Sequence, residues 1–338
     1  MSQISDTSSI SQKPARHEQY WNWKPPRPAE SNPLFLFPIN AKAILKWYVD
    51  SWKPLSEYAF FFALAWLSWL AFQPELLSGT ATSSTVLQLS VPVLFRNLAY
   101  TILLAGGFHY YFYVRMAQGS ETKFDTRTPT EHNKRFLFGK QLHDNIFWTL
   151  ASGVPIWSAY EAGVLWAQHT GMAPLHQWAD GQIWFVAWFF LIPFWLSLHF
   201  YLGHRLLHWK PLYRISHSVH HRNICTGPWS GISMHPIEHL IYFSTFLIHL
   251  VIPSHPVHIF FHCYCIGLSP IFGHVGFESL VIRGKVKMTI GHYHHQLHHR
   301  YFECNYGAAE LPCDVWFGTY DDGSAEARER LSRRRESV

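Results

Sequence analysis

The sequence predicts an all-α fold: a polytopic membrane bundle of four membrane helices plus a hairpin, with a histidine-rich helical cap on the cytoplasmic side. Three observations predict it. Charged residues make up 14% of the 338, against about a quarter in ordinary globular chains. Several long runs carry no charge at all. The basic residues outside those runs collect on one side of the alternation that the runs define.

The first forty residues are polar and Pro-rich, with no apolar h-region near the start. No cleavable signal peptide is therefore expected, and residues 1–45 read as a largely disordered N-terminal segment. Charge-free runs follow at 58–74, 97–114, 145–160 and 181–204. A helix needs about 20 apolar residues to cross a bilayer. The last run meets that length, and the other three read as helices whose ends reach the interface. Residues 239–277 are again charge-free but are broken by PSHP at 253–256. Each arm is shorter than a full crossing, so a re-entrant hairpin and two thin helices stand as equal readings. Glu161 falls within or near the third helix, where an acid is either intramembrane and functional or interfacial. The last fifteen residues read as a charged helix or tail.

Charge gives an independent check. If the four runs form two helical hairpins, the far loops lie at about 75–96 and 168–180. Of the 27 basic residues, only Arg96 falls in either loop, at the end of the first. Lys and Arg collect in cytoplasmic loops, so both termini are expected there. The five cysteines, Cys225, Cys263, Cys265, Cys304 and Cys313, contain no CxxC pair. An odd count on the cytoplasmic side or in the hairpin argues for free thiols rather than a disulfide framework.

The chain has 24 histidines, most of them after residue 203. His204 and His208 form HRLLH; His217, His220 and His221 form HSVHH; His295, His298 and His299 form HQLHH. On a helix, i, i+3 and i+4 share a face, so each box is expected to point its imidazoles in one direction. Random placement of the histidines would yield an HxxHH match on the order of 0.1 times. Crowded, buried imidazoles stay neutral, and neutral imidazole is a ligand for Fe, Zn, Cu and Ni. Eight ligands exceed the need of one tetrahedral ion, so two metals are the economical reading. HRLLH begins where the 181–204 helix ends, which puts the site at the cytoplasmic face, fed by a substrate lying in the bilayer.

These boxes, with SMHPIEH (Ser233–His239), NYG (Asn305–Gly307) and DVWFGT (Asp314–Thr319), resemble the fatty acid hydroxylase/sterol desaturase superfamily of membrane histidine-box enzymes. The resemblance covers roughly residues 140–322 and does not single out a subfamily. It implies a non-haem diiron oxygenase that splits O2 and oxidises a C–H bond of a lipid (sterol, sphingolipid or fatty acyl chain) to an alcohol or a double bond. It implies a catalytic domain over 46–322, with 323–338 as a charged tail. It carries the ligand role to His204, His208, His217, His220, His221, His295, His298 and His299. The family supplies one or two further histidines between the second and last boxes. His274 is the first choice here, followed by His235, His239 and His292, while His294 is expected to point away.

Acids near an all-imidazole site would accept the second N–H of ligand rings. Glu238, Asp314 and Glu310 are the candidates, with Asn305 in a similar supporting role. Arg205, Arg222 and Arg300 abut the boxes and read as interfacial charge before they read as a docking site for an electron donor. No flavin fingerprint, CxxCH or cluster-type cysteine set is visible. The two iron ions would therefore draw electrons from an external protein, cytochrome b5 or a ferredoxin-type reductant. No nucleic-acid partner is expected, and the membrane would be the endoplasmic reticulum in a eukaryote or the inner membrane in a bacterium. Two other readings compete: a zinc-dependent membrane lipid hydrolase, and a histidine-rich metal transporter or sensor. Transport is disfavoured because the boxes lie beyond the helix ends.

Overall fold

The computed structural model describes residues 18–26, 28–76 and 83–336. The described chain is mostly helical. Helix α1 (Ala41–Trp52) starts at Asn40, whose side chain accepts a hydrogen bond from the Ala43 amide. Helix α2 (Glu57–Leu76) and helix α3 (Ser83–His109) are the first long apolar pair, and α3 runs on through a π turn, Tyr110–Val114. Helix α4 (Gln141–Trp148) joins α5 (Val154–His169) through another π turn, Thr149–Gly153. Pro155 explains the join, because it removes one donor from the helical ladder there.

Helix α6 (Gln182–Leu207) has 26 residues and a length of about 39 Å. It delivers the first histidines to the cap. Short elements follow: α7 (Lys210–Leu212), a π turn (Tyr213–His217) and α8 (Ser218–His221). Helix α9 (Pro236–Phe243) continues as 3-10 helix Ser244–Leu250, and the chain returns through α10 (Pro256–Gly267) and α11 (Ser269–Gly273). The cap is completed by α12 (Tyr293–Tyr301), α13 (Cys313–Trp316) and α14 (Ala325–Glu336). Two short antiparallel strands, β1 (Ser279–Ile282) and β2 (Lys285–Thr289), are an exception to the all-α expectation. Their turn uses Arg283 and Gly284, both at positive φ, the conformation that a tight hairpin demands.

Among the described residues, three stretches are long and apolar enough to cross a membrane: Val86–Val114, Gln182–Leu207 and Pro256–Gly273. Helix α2 supplies a shorter apolar stretch, Glu57–Ala71. The α4–α5 unit, expected as the third membrane helix, falls short because it carries Glu161 and Gln168, both turned into the bundle. The hairpin is resolved by its tip. Ser254 accepts hydrogen bonds from the Gln168 side chain and the His176 amide, and donates its own amide to Pro174. The tip therefore lies beside the 170–181 loop, at the end of the bundle opposite the histidine boxes. The 3-10 stretch, rising about 2.0 Å per residue, lets so short an arm reach that far. Every residue of α10 is buried, so the return arm is the central post of the bundle. Gly267 allows this, since a Cβ there would fall 2.8 Å from the Trp157 ring.

Arg96 corrects the predicted far loop. It sits inside α3 and not at a loop end, ion-paired with Glu161 of α5, and both side chains are buried. Asn97 also donates to Glu161, at 2.9 Å, and Phe260 lies under the guanidinium at 4.9 Å. Glu161 is thus an interior residue, neither interfacial nor exposed to lipid.

The N-terminal segment, expected to be largely disordered over 1–45, packs on the cap from Trp21 onward; residues 1–17 lie outside the described residues. Trp21 pairs with Asp125, Asn22 donates to the Ser120 and Lys123 carbonyls, and Asn32 donates to the Glu310 carbonyl. The five cysteines form no disulfide, and all are buried.

Candidate metal centre

Helix α6 ends with His204 and His208 one turn apart. The π turn after Pro211 swings the chain back, so that His217 and His221 face the same point. His298 of α12 arrives from the far side of the sequence. The Nε2 atom of His204 lies 3.1 Å from that of His217, and His208 lies 3.1 Å from His217 and His221 and 3.3 Å from His298. The second group is His220, His274, His295 and His299. Its Nε2 atoms are 3.0 Å apart for His274–His299, 3.1 Å for His274–His295 and 3.2 Å for His295–His299. Within each group the donor atoms all lie within 4.8 Å of one another.

The other ring nitrogens decide what these contacts are. His204 Nδ1 donates to the Tyr306 carbonyl at 2.7 Å, His298 Nδ1 to the Cys304 carbonyl at 2.6 Å, and His274 Nδ1 to the Pro270 carbonyl at 2.8 Å. His217 Nδ1 donates to Glu238 at 2.7 Å. A carbonyl can only accept, so in those rings the proton is on Nδ1 and Nε2 carries a bare lone pair. Lone pairs aimed at one another repel unless a cation stands between them. Nitrogens bound about 2.1 Å from one ion sit roughly 2.9–3.4 Å apart in right-angled to tetrahedral coordination. The residues present fit two metal ions.

Electrostatics agree. Burial, then the neighbouring His204 and Arg205, pushes His208 down to about 2. Burial pushes His274 down to about 3, although its bond to Pro270 opposes the shift. His220, His221, His295, His298 and His299 are driven well below the ordinary imidazole range, first by burial and then by one another. These rings are neutral at physiological pH, the form that binds metal.

The structure brings together all eight box histidines and His274. It does not give each box one direction. His217 and His221 join the first group while His220 joins the second, and His298 is likewise split from His295 and His299. Adjacent residues on a helix point about 100° apart, so a tandem HH serves two centres. His235, His239 and His292 lie outside both groups. His235 caps α9, accepting from the Ile237 amide. His239 has both ring nitrogens engaged, with Ser152 and with the Ile232 carbonyl. His292 pairs with Glu57 at 2.9 Å. His294 points away, towards Tyr320.

Of the supporting residues, Glu238 touches a cluster histidine directly. Asp314 instead accepts from the Tyr306 and Gly307 amides and from the Thr319 hydroxyl, fixing the turn whose carbonyl holds His204. Asn305, at φ 53°, bonds the His294 and Asp321 backbones and locks that turn from the other side. Glu310 accepts from Tyr58 and does not reach a cluster histidine through any described hydrogen bond. Arg300 is buried against Asp125, 3.7 Å from the Trp21 ring centre, and Arg222 is bound to Asp144. Neither offers a free charge for docking. The sequence reading missed the carbonyls of Pro270, Cys304 and Tyr306, which no side-chain motif can announce.

A cavity of about 1180 Å³ reaches the histidines. Its walls include Pro193, Leu196 and Phe200 of α6, with Met234, Ile241 and Ile266 opposite.

The fatty acid hydroxylase family matches residues 187–319, which hold the cluster histidines. The chain is 25% identical to a delta(7)-sterol 5(6)-desaturase of Gibberella zeae over 243 residues, 67% of this chain and 70% of that protein. Over this region the chain is similar to the fatty acid hydroxylase/sterol desaturase superfamily. Other relatives in this superfamily include the delta(7)-sterol 5(6)-desaturase of Saccharomyces cerevisiae, 30% identical over 39% of this chain and 35% of that enzyme. Methylsterol monooxygenase 1 of Gallus gallus is 32% identical over 36% of this chain and 41% of its own length. No solved structure matches the chain. With this family match, these relatives and these apolar helices, the chain is an oxygen-dependent oxidoreductase of the membrane.

Proposed function

We propose that the chain is a non-haem diiron enzyme that uses O2 and an external electron donor to hydroxylate or desaturate a sterol. One observation carries the reading: nine imidazoles converge in two groups, and Nε2 is bare in the rings whose Nδ1 is held by a carbonyl. In this reading His204, His208, His217, His221 and His298 hold one iron, and His220, His274, His295 and His299 hold the other. Iron bound there would supply O2 reduction and the oxidising power that breaks an unactivated C–H bond. Hydroxylation balances as R–H, O2, two electrons and two protons giving R–OH and water. Desaturation takes the same reactants, removes two hydrogens from neighbouring carbons and releases two waters.

The chain's own residues do the rest. Backbone carbonyls and Glu238 hold the Nδ1–H of His204, His217, His274 and His298, fixing the orientation of those rings before metal arrives. The apolar walls of α6 and α9 take the lipid body and keep water from the reacting carbon. Sterol is preferred over sphingolipid and fatty acyl substrates because the relatives are sterol desaturases and a methylsterol monooxygenase.

The electron donor is a cytochrome b5 or ferredoxin-type protein meeting the cap. With Arg96 inside the bundle, residues 77–82 and 170–181 contain neither Lys nor Arg, which supports a cytoplasmic cap and cytoplasmic termini. Metal analysis of purified protein, with 18O2 labelling during turnover, tests the proposal. Two irons per chain and strict O2 dependence are expected, with label entering the lipid where the product is an alcohol. Bound zinc with turnover in the absence of O2 would overturn it.

A further inference from the structure

The cavity beside the histidines is apolar along α6 and α9 but polar in one sector, where Glu57, Tyr58, Ser269, His292 and Glu310 all line it. They come from four distant segments. Ser269 Oγ donates to Glu57 Oε2 at 2.9 Å, and His292 Nε2 donates to Glu57 Oε1 at 2.9 Å. Tyr58 donates to Glu310. None of these contacts is part of either histidine group. The sector nevertheless abuts the second one. A Cβ on Gly273 would fall 2.9 Å from His292 Nδ1, and His274 is the next residue. His292 also opens α12, three residues before His295.

The chemistry of the sector restricts what it can bind. It mixes acceptors (the Glu57 and Glu310 carboxylates) with donors (the Tyr58 and Ser269 hydroxyls and the His292 ring). A neutral hydroxyl needs one of each. At this sector a carboxylate or phosphate headgroup would meet Glu57 and Glu310, with Glu278 also on the cavity wall; of the lysines that line the cavity, Lys46 and Lys53 are paired with Asp50 and Lys287 lies on β2. Partial desolvation opposes charge on the half-exposed His292, but Glu57, then Glu310 and Glu278, raise it above the ordinary imidazole range, which keeps Nε2 a donor to Glu57. A polar group entering an apolar cavity is costly unless such partners await it.

We propose that Glu57, Tyr58, Ser269, His292 and Glu310 form an anchor for the hydroxyl of a neutral lipid alcohol. The anchor would hold the carbons nearest that hydroxyl against the histidine groups. The inference rests on the sterol reading above and adds the residues that would hold the sterol's hydroxyl end.

The test is competition binding on the full-length, iron-loaded protein, with a fluorescent 3-hydroxysterol displaced by a 3-hydroxysterol, its 3-ketone or its 3-deoxy form. The alcohol should bind about tenfold or more tighter than either analogue, because only a hydroxyl can both donate to a carboxylate of the sector and accept from one of its donors. Tyr58→Phe and Glu310→Gln should each shrink that preference to about twofold or less, with iron content and affinity for the deoxy form unchanged. Equal affinity for alcohol and deoxy form in the wild type would overturn the anchor while leaving the sterol reading intact. So would a preference that survives both substitutions, or tighter binding of a long-chain amine or carboxylate. If no sterol form binds, the sterol reading falls, and the anchor with it.

Discussion

At the residue scale, each cluster histidine does two things. Its Nε2 faces the centre and its Nδ1, in four rings, is held by an oxygen. Replacing His220, His221, His298 or His299 with Ala should abolish turnover and lower bound iron, by more than about 100-fold in affinity for the first ion lost. Iron analysis of the purified variants checks this. Glu238→Gln keeps the shape but replaces the carboxylate facing His217. It should weaken iron binding roughly 10- to 100-fold, and rescue at raised iron would separate the effect from misfolding.

The depressed imidazole pKa values also set a pH window. Above about 6.5 these rings are neutral whether folded or unfolded and contribute nothing to pH dependence. As pH falls below that, the unfolded chain takes up protons that the folded cluster refuses, so stability declines towards the folded values of about 3 for His274 and about 2 for His208. Thermal melts of metal-depleted protein from pH 8 to 4 should fall in that direction. A melt independent of pH would contradict the burial of neutral rings.

At the element scale, the boxes were legible because i, i+3 and i+4 spacing is a local property. Their division between two centres was not, because it depends on the angle at which α8 and α12 meet α6. The hairpin was equally open to two readings, and the contact between Ser254 and the 170–181 loop sets its tip at the end of the bundle opposite the histidines. The Arg96–Glu161 pair locks α3 to α5 deep in the bundle. Arg96→Met leaves a buried carboxylate uncompensated and should cost about 3–5 kcal/mol. The double change Arg96→Met with Glu161→Gln should cost less than the sum of the two singles. A double-mutant cycle on thermal stability in detergent measures the difference.

At the scale of the whole molecule, the long apolar helices form a pedestal, and the cap holds the chemistry at one end. An apolar cavity joins the two, and the strap from Trp21 to Asn32 ties the N-terminal segment across the cap. If the cap and the far loops lie on opposite sides of a membrane, Met172→Cys and Val286→Cys should label from opposite faces with an impermeant maleimide. Both positions are exposed, at 59% and 63%, and all five native cysteines are buried, so background labelling should be low. Labelling of both from one side would refute the topology. His169→Ala, in the far region, should leave turnover nearly unchanged in an activity assay.

The sequence by itself determined that the chain is helical, apolar and rich in imidazoles at helical spacing. Periodicity and charge distribution are written along the chain and need no folding to be read. The tertiary structure alone decided which imidazole joins which centre, which carbonyls hold their protons, and where Arg96, His292 and Glu310 end up. Those outcomes depend on residues from 4 to 235 positions apart meeting in space. Such meetings are fixed by packing, which no local pattern encodes.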